Sequence, residues 1–299
     1  MIGIIGGSGL YDMAGLEVLE ERRVSTPFGD PSDAVRIGRL DGVEVAFLAR
    51  HGRGHRVNPS EIPYRANIWA LKSVGAQAIL SVSAVGSMRE DIEPGQLVLV
   101  DQFIDRTLGQ RKHTFFEGGC VAHVGLADPT CPHLISRLWA AAQRLEIPAH
   151  LNGTYVCIEG PQFSTRAESR LYRSWGVSVI GMTNVTEARL AREAELHYAT
   201  IAMATDYDVW HESEEDVTVE AVLAVMRGNV DRAQRLLRAV VPEVQAFVDS
   251  PAGTMGRPDS CACPRSLDFA VMTAPESIPA EAHARLELLL RRSLAGGQA

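Results

Sequence analysis

The chain has 299 residues, 46% of them hydrophobic and 22% charged, and a formal net charge of −8 at pH 7. This is the balance of a globular enzyme long enough for one large α/β core, and its scattered basic residues argue against nucleic acid as a partner. No apolar run approaches the roughly 18 residues of a membrane span, so no membrane partner is expected. The apolar start (residues 1–5) breaks at Gly6-Gly7 without a basic leader, and five cysteines do not make a secreted disulfide framework. A cytoplasmic location is the expectation.

Taken in chain order, short apolar runs bounded by Gly, Pro or polar residues predict strands over 2–5, 43–49, 78–83, 96–100, 155–158, 177–180 and 197–204. Segments of helical period lie between them, over 64–74, 132–145, 165–175 and 186–194. A longer one over 218–248 reads as a single helix or as two with a break near Gly228-Asn229. Strands alternating with helices predict an α/β fold with a mixed, largely buried central sheet flanked by helices. Breakers crowd residues 250–258, and a terminal amphipathic helix is expected over 280–294. We therefore expect one domain over residues 1–250 and a C-terminal extension over 251–299.

Four places carry possible chemistry. Ile5-Gly6-Gly7-Ser8-Gly9 runs from a strand into glycines that let the backbone approach an anion, with Ser8 adding a hydroxyl donor. No Lys-Ser/Thr or third glycine follows, so a mononucleotide or dinucleotide loop is excluded, and a plain tight turn stays open. Ala49-Arg50-His51-Gly52 at a strand end suits phosphate, the guanidinium fork taking two oxygens and the imidazole a third. A basic surface loop continuing through Arg53, His55 and Arg56 is an equal reading. Ser81 to Ser87 ends a strand in small residues, which on local evidence reads as close packing. Asp206 and Asp208 follow a buried run, and two carboxylates two residues apart in an extended segment converge on one edge of a ligand. Burial beside a like charge would keep one protonated as an acid. A metal there is the weaker rival, since residues 211–216 read as a solvated acidic turn. Cys261-Ala262-Cys263 is read as two plain thiols. A strained disulfide is one alternative, and a half zinc site lacks a second ligand pair nearby in sequence.

These residues sit within a longer ordered set of motifs. Ile4 to Leu10, Thr26-Pro27-Phe28-Gly29, Leu48 to Gly52 and Asn67 to Lys72 come first. Asp101 to Thr107, Glu159-Gly160-Pro161-Gln162-Phe163-Ser164 and Ile201 to Asp208 follow. Together, over roughly residues 2–248, the chain resembles the trimeric purine nucleoside phosphorylases, in their methylthioadenosine-cleaving branch. The resemblance implies a single-domain nucleoside phosphorylase fold, a homotrimer with sites at subunit interfaces, and no metal or organic cofactor, inorganic phosphate being a co-substrate. It implies phosphate on Ser8, Arg50, His51, Ser83, the Ala84 N–H and Thr183. Asp206 would serve purine N7 and Asp208 the 6-amino group, with Phe163 and Met182 bracketing base and ribose. Val219 and Val222, with His123 and Met272 of a neighbouring subunit, would surround the 5′ group.

The implied reaction is phosphorolysis of 5′-methylthioadenosine to adenine and 5-methylthioribose 1-phosphate. A 5′-deoxy-5′-haloadenosine, or a wider range of 6-aminopurine nucleosides, fits the same chemistry. A hydrolase using water is disfavoured by Arg50-His51. Three departures stand out: Thr186 replaces the usual proline of Val-Pro-Glu, Gly181 stands where the methylthioadenosine branch often has Asn, and the C-terminal part that holds Met272 matches the pattern poorly.

Overall fold

The computed structural model describes residues 1–10, 12–211, 219–254 and 260–295. Among them the chain forms β1 (Ile2–Gly6), β2 (Leu16–Arg22), β3 (Val35–Leu40), β4 (Val43–Ala49), α1 (Tyr64–Ser73), β5 (Ala78–Ser87), β6 (Leu97–Arg106), α2 (Pro132–Arg144) and β7 (Ala149–Ile158). There follow α3 (Arg166–Ser174), β8 (Val179–Gly181), α4 (Asn184–Glu193), β9 (His197–Asp206), α5 (Val219–Val248) and α6 (Ala280–Ala295). The fully apolar runs became buried strands as their composition requires: β1 and β5 are inaccessible along nearly their whole length. Each predicted helix is present. α5 runs unbroken through Gly228-Asn229, and Asn229 donates its Nδ2–H to the Ala204 carbonyl (2.7 Å), tying the helix to the end of β9.

The strands form one mixed sheet in the order β2-β3-β4-β1-β5-β8-β7-β6-β9, and β9 also pairs with β5. That last pairing closes β5, β8, β7, β6 and β9 into a barrel-like circuit. β4, β1, β5 and β9 run parallel, Gly6 beside Ala49 and Ala84 beside Met203. Their carboxyl ends therefore open on one side of the molecule, where ligands of such sheets bind. β5 outruns β1: the β1 pairing stops at Ser81, and β8 takes over only at Gly86. The gap between those two partners is the floor of a cavity.

β2 and β3 fall where no strand was expected. β2 is Glu-rich and mostly exposed, so it lacks the apolar alternation that marks a strand. It is held as an edge by antiparallel pairing to β3. The C-terminal extension packs on the same core: α6 buries Ala282, Leu286, Leu289 and Leu290 in a cluster that also takes Ile68 and Leu71 of α1 and Leu190 of α4. No helix of the described residues is long and apolar enough to cross a membrane.

Candidate active site

The cavity holds about 520 Å³. Its wall includes Ser8, Arg50, His51, Ser83, Ala84, Thr183, Phe163, Met182, Asp206 and Asp208, all foreseen from sequence. Leu223, Met226, His55, Pro59 and Ser164 were not. Leu223 and Met226 lie on α5, where i and i+3 share a face. The expected Val219 and Val222 open that helix, but their side chains are outside the described residues, as is the turn over 212–216.

One end is built for an anion. Gly7 must be glycine, since a Cβ there would lie 2.5 Å from Arg50 Nη1 and 2.6 Å from the Val82 carbonyl oxygen. The backbone thus passes directly over the guanidinium. Arg50 is 1% exposed, and its two-pronged face does not point at the cavity. Nε and Nη2 donate to Glu187 (2.5 and 3.2 Å), Nη2 also to Ser81 Oγ (2.6 Å), and Nη1 to the Val82 carbonyl (2.9 Å). The expected bidentate grip on phosphate is therefore corrected: one Nη1 hydrogen remains for the cavity. Burial opposes the charge of Arg50, yet the facing Glu187 carboxylate raises its pKa, so the cation is permanent.

His51 also differs from expectation. Its Nδ1–H donates to the Val57 carbonyl (2.8 Å). A carbonyl can only accept, so Nδ1 holds the proton and Nε2 is left an acceptor. Burial first, then the charge of Arg50, pull its pKa down to about 3, so it is neutral at pH 7. It can accept a hydrogen bond from a P–OH group but cannot donate one from Nε2. Thr183 is the N-cap of α4, whose positive helix end faces the same space.

The other end carries the acids. Asp206 closes β9, and Asp208 follows in a left-handed turn (φ 52°), a conformation that Asp tolerates. The two carboxylates meet through this turn and not through the strand-like alternation expected of them. Asp208 N–H donates to Asp206 Oδ1 (2.8 Å), and the Ser164 hydroxyl reaches both Asp208 oxygens (2.9 and 2.8 Å). Burial first, with the Asp208 charge adding, raises the pKa of Asp206 despite its hydrogen bond from Thr205 (2.6 Å). Thr205 also lies 3.1 Å from the Val85 carbonyl and has one proton for two acceptors.

Gly181 has a local reason: a Cβ there would sit 2.1 Å from the Tyr155 hydroxyl, which itself accepts from Thr183 N–H (3.4 Å). Tyr155 occupies the space a larger residue would need. Phe163 stands half-exposed at the mouth, and Met182 packs over Gly160. His123 and Met272 do not line the cavity of their own chain. They flank the Ala122–Val271 bridge, His123 N–H donating to Ala270 and Met272 N–H to Val121, and Met272 is 63% exposed.

A cavity joining an anion-binding end to a carboxylate pair, at the carboxyl ends of parallel strands, defines an enzyme that transfers a group to or from phosphate. The family model of the phosphorylase superfamily matches residues 1–242, and the chain belongs to that superfamily. A relative from Geobacter sulfurreducens, named S-methyl-5′-thioadenosine phosphorylase, is 53% identical over 97% of this chain and 98% of its own. Another of that name, from Chloroflexus aurantiacus, is 53% identical over 95% of each. Among solved structures, a methylthioadenosine phosphorylase from an antarctic soil metagenomic library superposes with a TM-score of 0.88 at 46% identity, covering 97% of this chain and 98% of that one. Methylthioadenosine phosphorylase from Schistosoma mansoni in complex with adenine gives 0.85 at 36% identity, covering 91% and 99%.

Proposed function

We propose that the chain cleaves 5′-methylthioadenosine with inorganic phosphate, giving adenine and 5-methylthioribose 1-phosphate. The observation that carries this is the single cavity with Arg50, Ser8 and the α4 N-terminus at one end and the Asp206–Asp208 pair at the other. The names of the relatives support the methylthio substrate over a 5′-halogen.

Breaking the N-glycosidic bond builds positive charge on the ribose and negative charge on the departing base. Asp206, whose carboxyl pKa burial raises, relieves the second by donating a proton or a strong hydrogen bond at N7. Asp208 accepts from the 6-amino group, so a 6-oxopurine would leave a buried acceptor facing another acceptor. Phosphate is held by Ser8, Ser83, the Ala84 N–H, Thr183 and the remaining Nη1 hydrogen of Arg50. Its own P–OH donates to His51 Nε2, a bond that the monohydrogen dianion can make. Its charge stabilises the ribose cation, and an oxygen then attacks the anomeric carbon from the face opposite the base. No metal or organic cofactor enters these steps. Phe163 and Met182 bracket base and ribose. Val219 and Val222, with His123 and Met272 of a second copy, form the 5′ pocket of a homotrimer. The exposed Met272 side chain beside His123 supports that assembly. Five cysteines, all free, suit a cytoplasmic enzyme.

The test is base release from methylthioadenosine, a 5′-haloadenosine, adenosine and methylthioinosine, each with and without phosphate. Phosphate-dependent release of adenine, fastest from methylthioadenosine, is expected. Turnover in the absence of phosphate, yielding free sugar, would overturn phosphorolysis. Equal rates on the inosine analogue would overturn the role given to the carboxylates.

A further inference from the structure

β9 carries the acid of the cavity at its last residue, and a second cluster gathers at its first, roughly 30 Å away by strand length. His197 opens the strand, and around it the fold brings Cys131, just ahead of α2, and Cys261 and Cys263 from beyond α5. All four are buried, and none lines the cavity. One ligating atom from each lies within 4.8 Å of the others. The ligand pair that Cys261-Ala262-Cys263 lacked in sequence is thus supplied from two distant segments.

The spacing is that of ligands around a shared centre. Cys131 Sγ is 3.6 Å from Cys261 Sγ and 3.3 Å from His197 Nδ1. Zinc bonds of about 2.3 Å to sulfur and about 2.0 Å to nitrogen in a tetrahedron put sulfurs about 3.8 Å apart and sulfur and nitrogen about 3.5 Å apart. A disulfide would draw two sulfurs to about 2.05 Å. The imidazole is oriented for the task. Its Nε2–H donates to the Gly253 carbonyl (3.0 Å), which can only accept, so the lone pair of the neutral ring is on Nδ1, facing the sulfurs. Gly253 has no room for a side chain, since a Cβ there would lie 2.1 Å from the Phe247 carbonyl oxygen. The Phe247 ring stands edge-on to the imidazole (5.1 Å between centroids) and closes the cluster from water.

We propose that Cys131, His197, Cys261 and Cys263 bind one zinc ion in a closed tetrahedral site. Three thiolates and one neutral imidazole fill every position, so the ion is structural and takes no substrate. Binding displaces three thiol protons to solvent and leaves the zinc with its four protein ligands. The site ties the chain after α5 to the segments that open α2 and β9. The held segment runs on through Cys263–Arg265 to the Ala270 and Met272 pairings with His123 and Val121. This inference stands on the cluster alone and does not depend on the proposed reaction.

The test begins with the full-length protein as purified. Elemental analysis by mass spectrometry is expected to find about one zinc per chain, released when an organomercurial titrates the thiols. Cobalt exchanged into the wild-type protein is expected to show the thiolate-to-cobalt charge transfer and intense visible bands of a tetrahedral site. Cys261→Ser/Cys263→Ser should lose zinc at least ~tenfold and melt lower, and a chelator should lower the wild-type midpoint until zinc is returned. Should the variant fail to fold, the cobalt spectrum of the wild type decides alone. The proposal falls if the chain carries iron or copper in place of zinc. It falls if the intact mass is short by the hydrogens of a disulfide. It falls too if metal-free native protein takes up neither zinc nor cobalt.

Discussion

The two ends of the cavity are built on opposite principles. At the anion end the two basic side chains are buried and already bonded: Arg50 is locked between Glu187, Ser81 and Val82, and His51 is fixed by Val57. At the nucleoside end Asp208, Ser164 and Met226 are buried and Asp206 is half-buried, while Phe163 and Leu223 stand half or more exposed. Phosphate meets a preorganised site, whose dipoles need not rearrange as charge develops. The nucleoside meets side chains that it must itself cover. Core substitutions should therefore act on phosphate and stability together, and rim substitutions on nucleoside choice alone.

The largest test of that division is Asp206→Asn. Removing a general acid typically costs about 10²–10⁴-fold in rate, and we expect that loss in kcat for methylthioadenosine with the phosphate dissociation constant within about threefold of wild type. The raised pKa of Asp206 adds a signature. The acid is present below that pKa and lost above it, so wild-type turnover should fall on the alkaline side. The limb should vanish in the Asn variant, which cannot deprotonate. A parallel loss of phosphate affinity would show that the two ends are coupled.

Glu187→Gln attacks the other end. It leaves the Arg50 cation buried opposite a neutral amide, and breaking such a pair typically costs about 3–5 kcal/mol of stability. Chemical denaturation should report that loss, with phosphate affinity falling alongside. A stable variant whose phosphate binding alone was weakened would mean that Glu187 tunes the anion site without holding the fold. A stable variant with unchanged binding would dissolve the comparison.

The same division decided what could be read in sequence. Ser8, Arg50 and His51 lie just past strand ends beside glycines, so each announces itself locally, whereas Ser83 lies within β5 and on local evidence reads as close packing. Their partner Glu187 does not, being 137 positions from Arg50, and without it the guanidinium was given a free fork it does not have. Asp208 lines the cavity by way of a turn and not by strand alternation, because a left-handed residue in a short turn leaves no mark in periodicity. β2 was missed because a solvated edge strand carries Glu and Arg where a core strand carries Val and Ile. The Cys131–His197–Cys261–Cys263 cluster was illegible for the most basic reason: its members come from three separate segments, and a lone Cys or His before an element is unremarkable.

Met272→Ala is the smallest expected effect and the one that reaches furthest along the rim. The side chain is too exposed in its own chain to stabilise the fold, so the melting midpoint should hold within the error of measurement. In the assembled enzyme it would pack on the 5′ substituent of a neighbour's substrate, where losing a few buried methylenes is worth about 1–2 kcal/mol, or roughly 5–30-fold. We expect that factor in KM for methylthioadenosine, a smaller one for adenosine, whose 5′-hydroxyl has less apolar surface to lose, and none for phosphate. An equal rise for both nucleosides would place Met272 on the base or ribose. No rise for either, with an unaltered oligomer, would confine the 5′ pocket to residues of one chain.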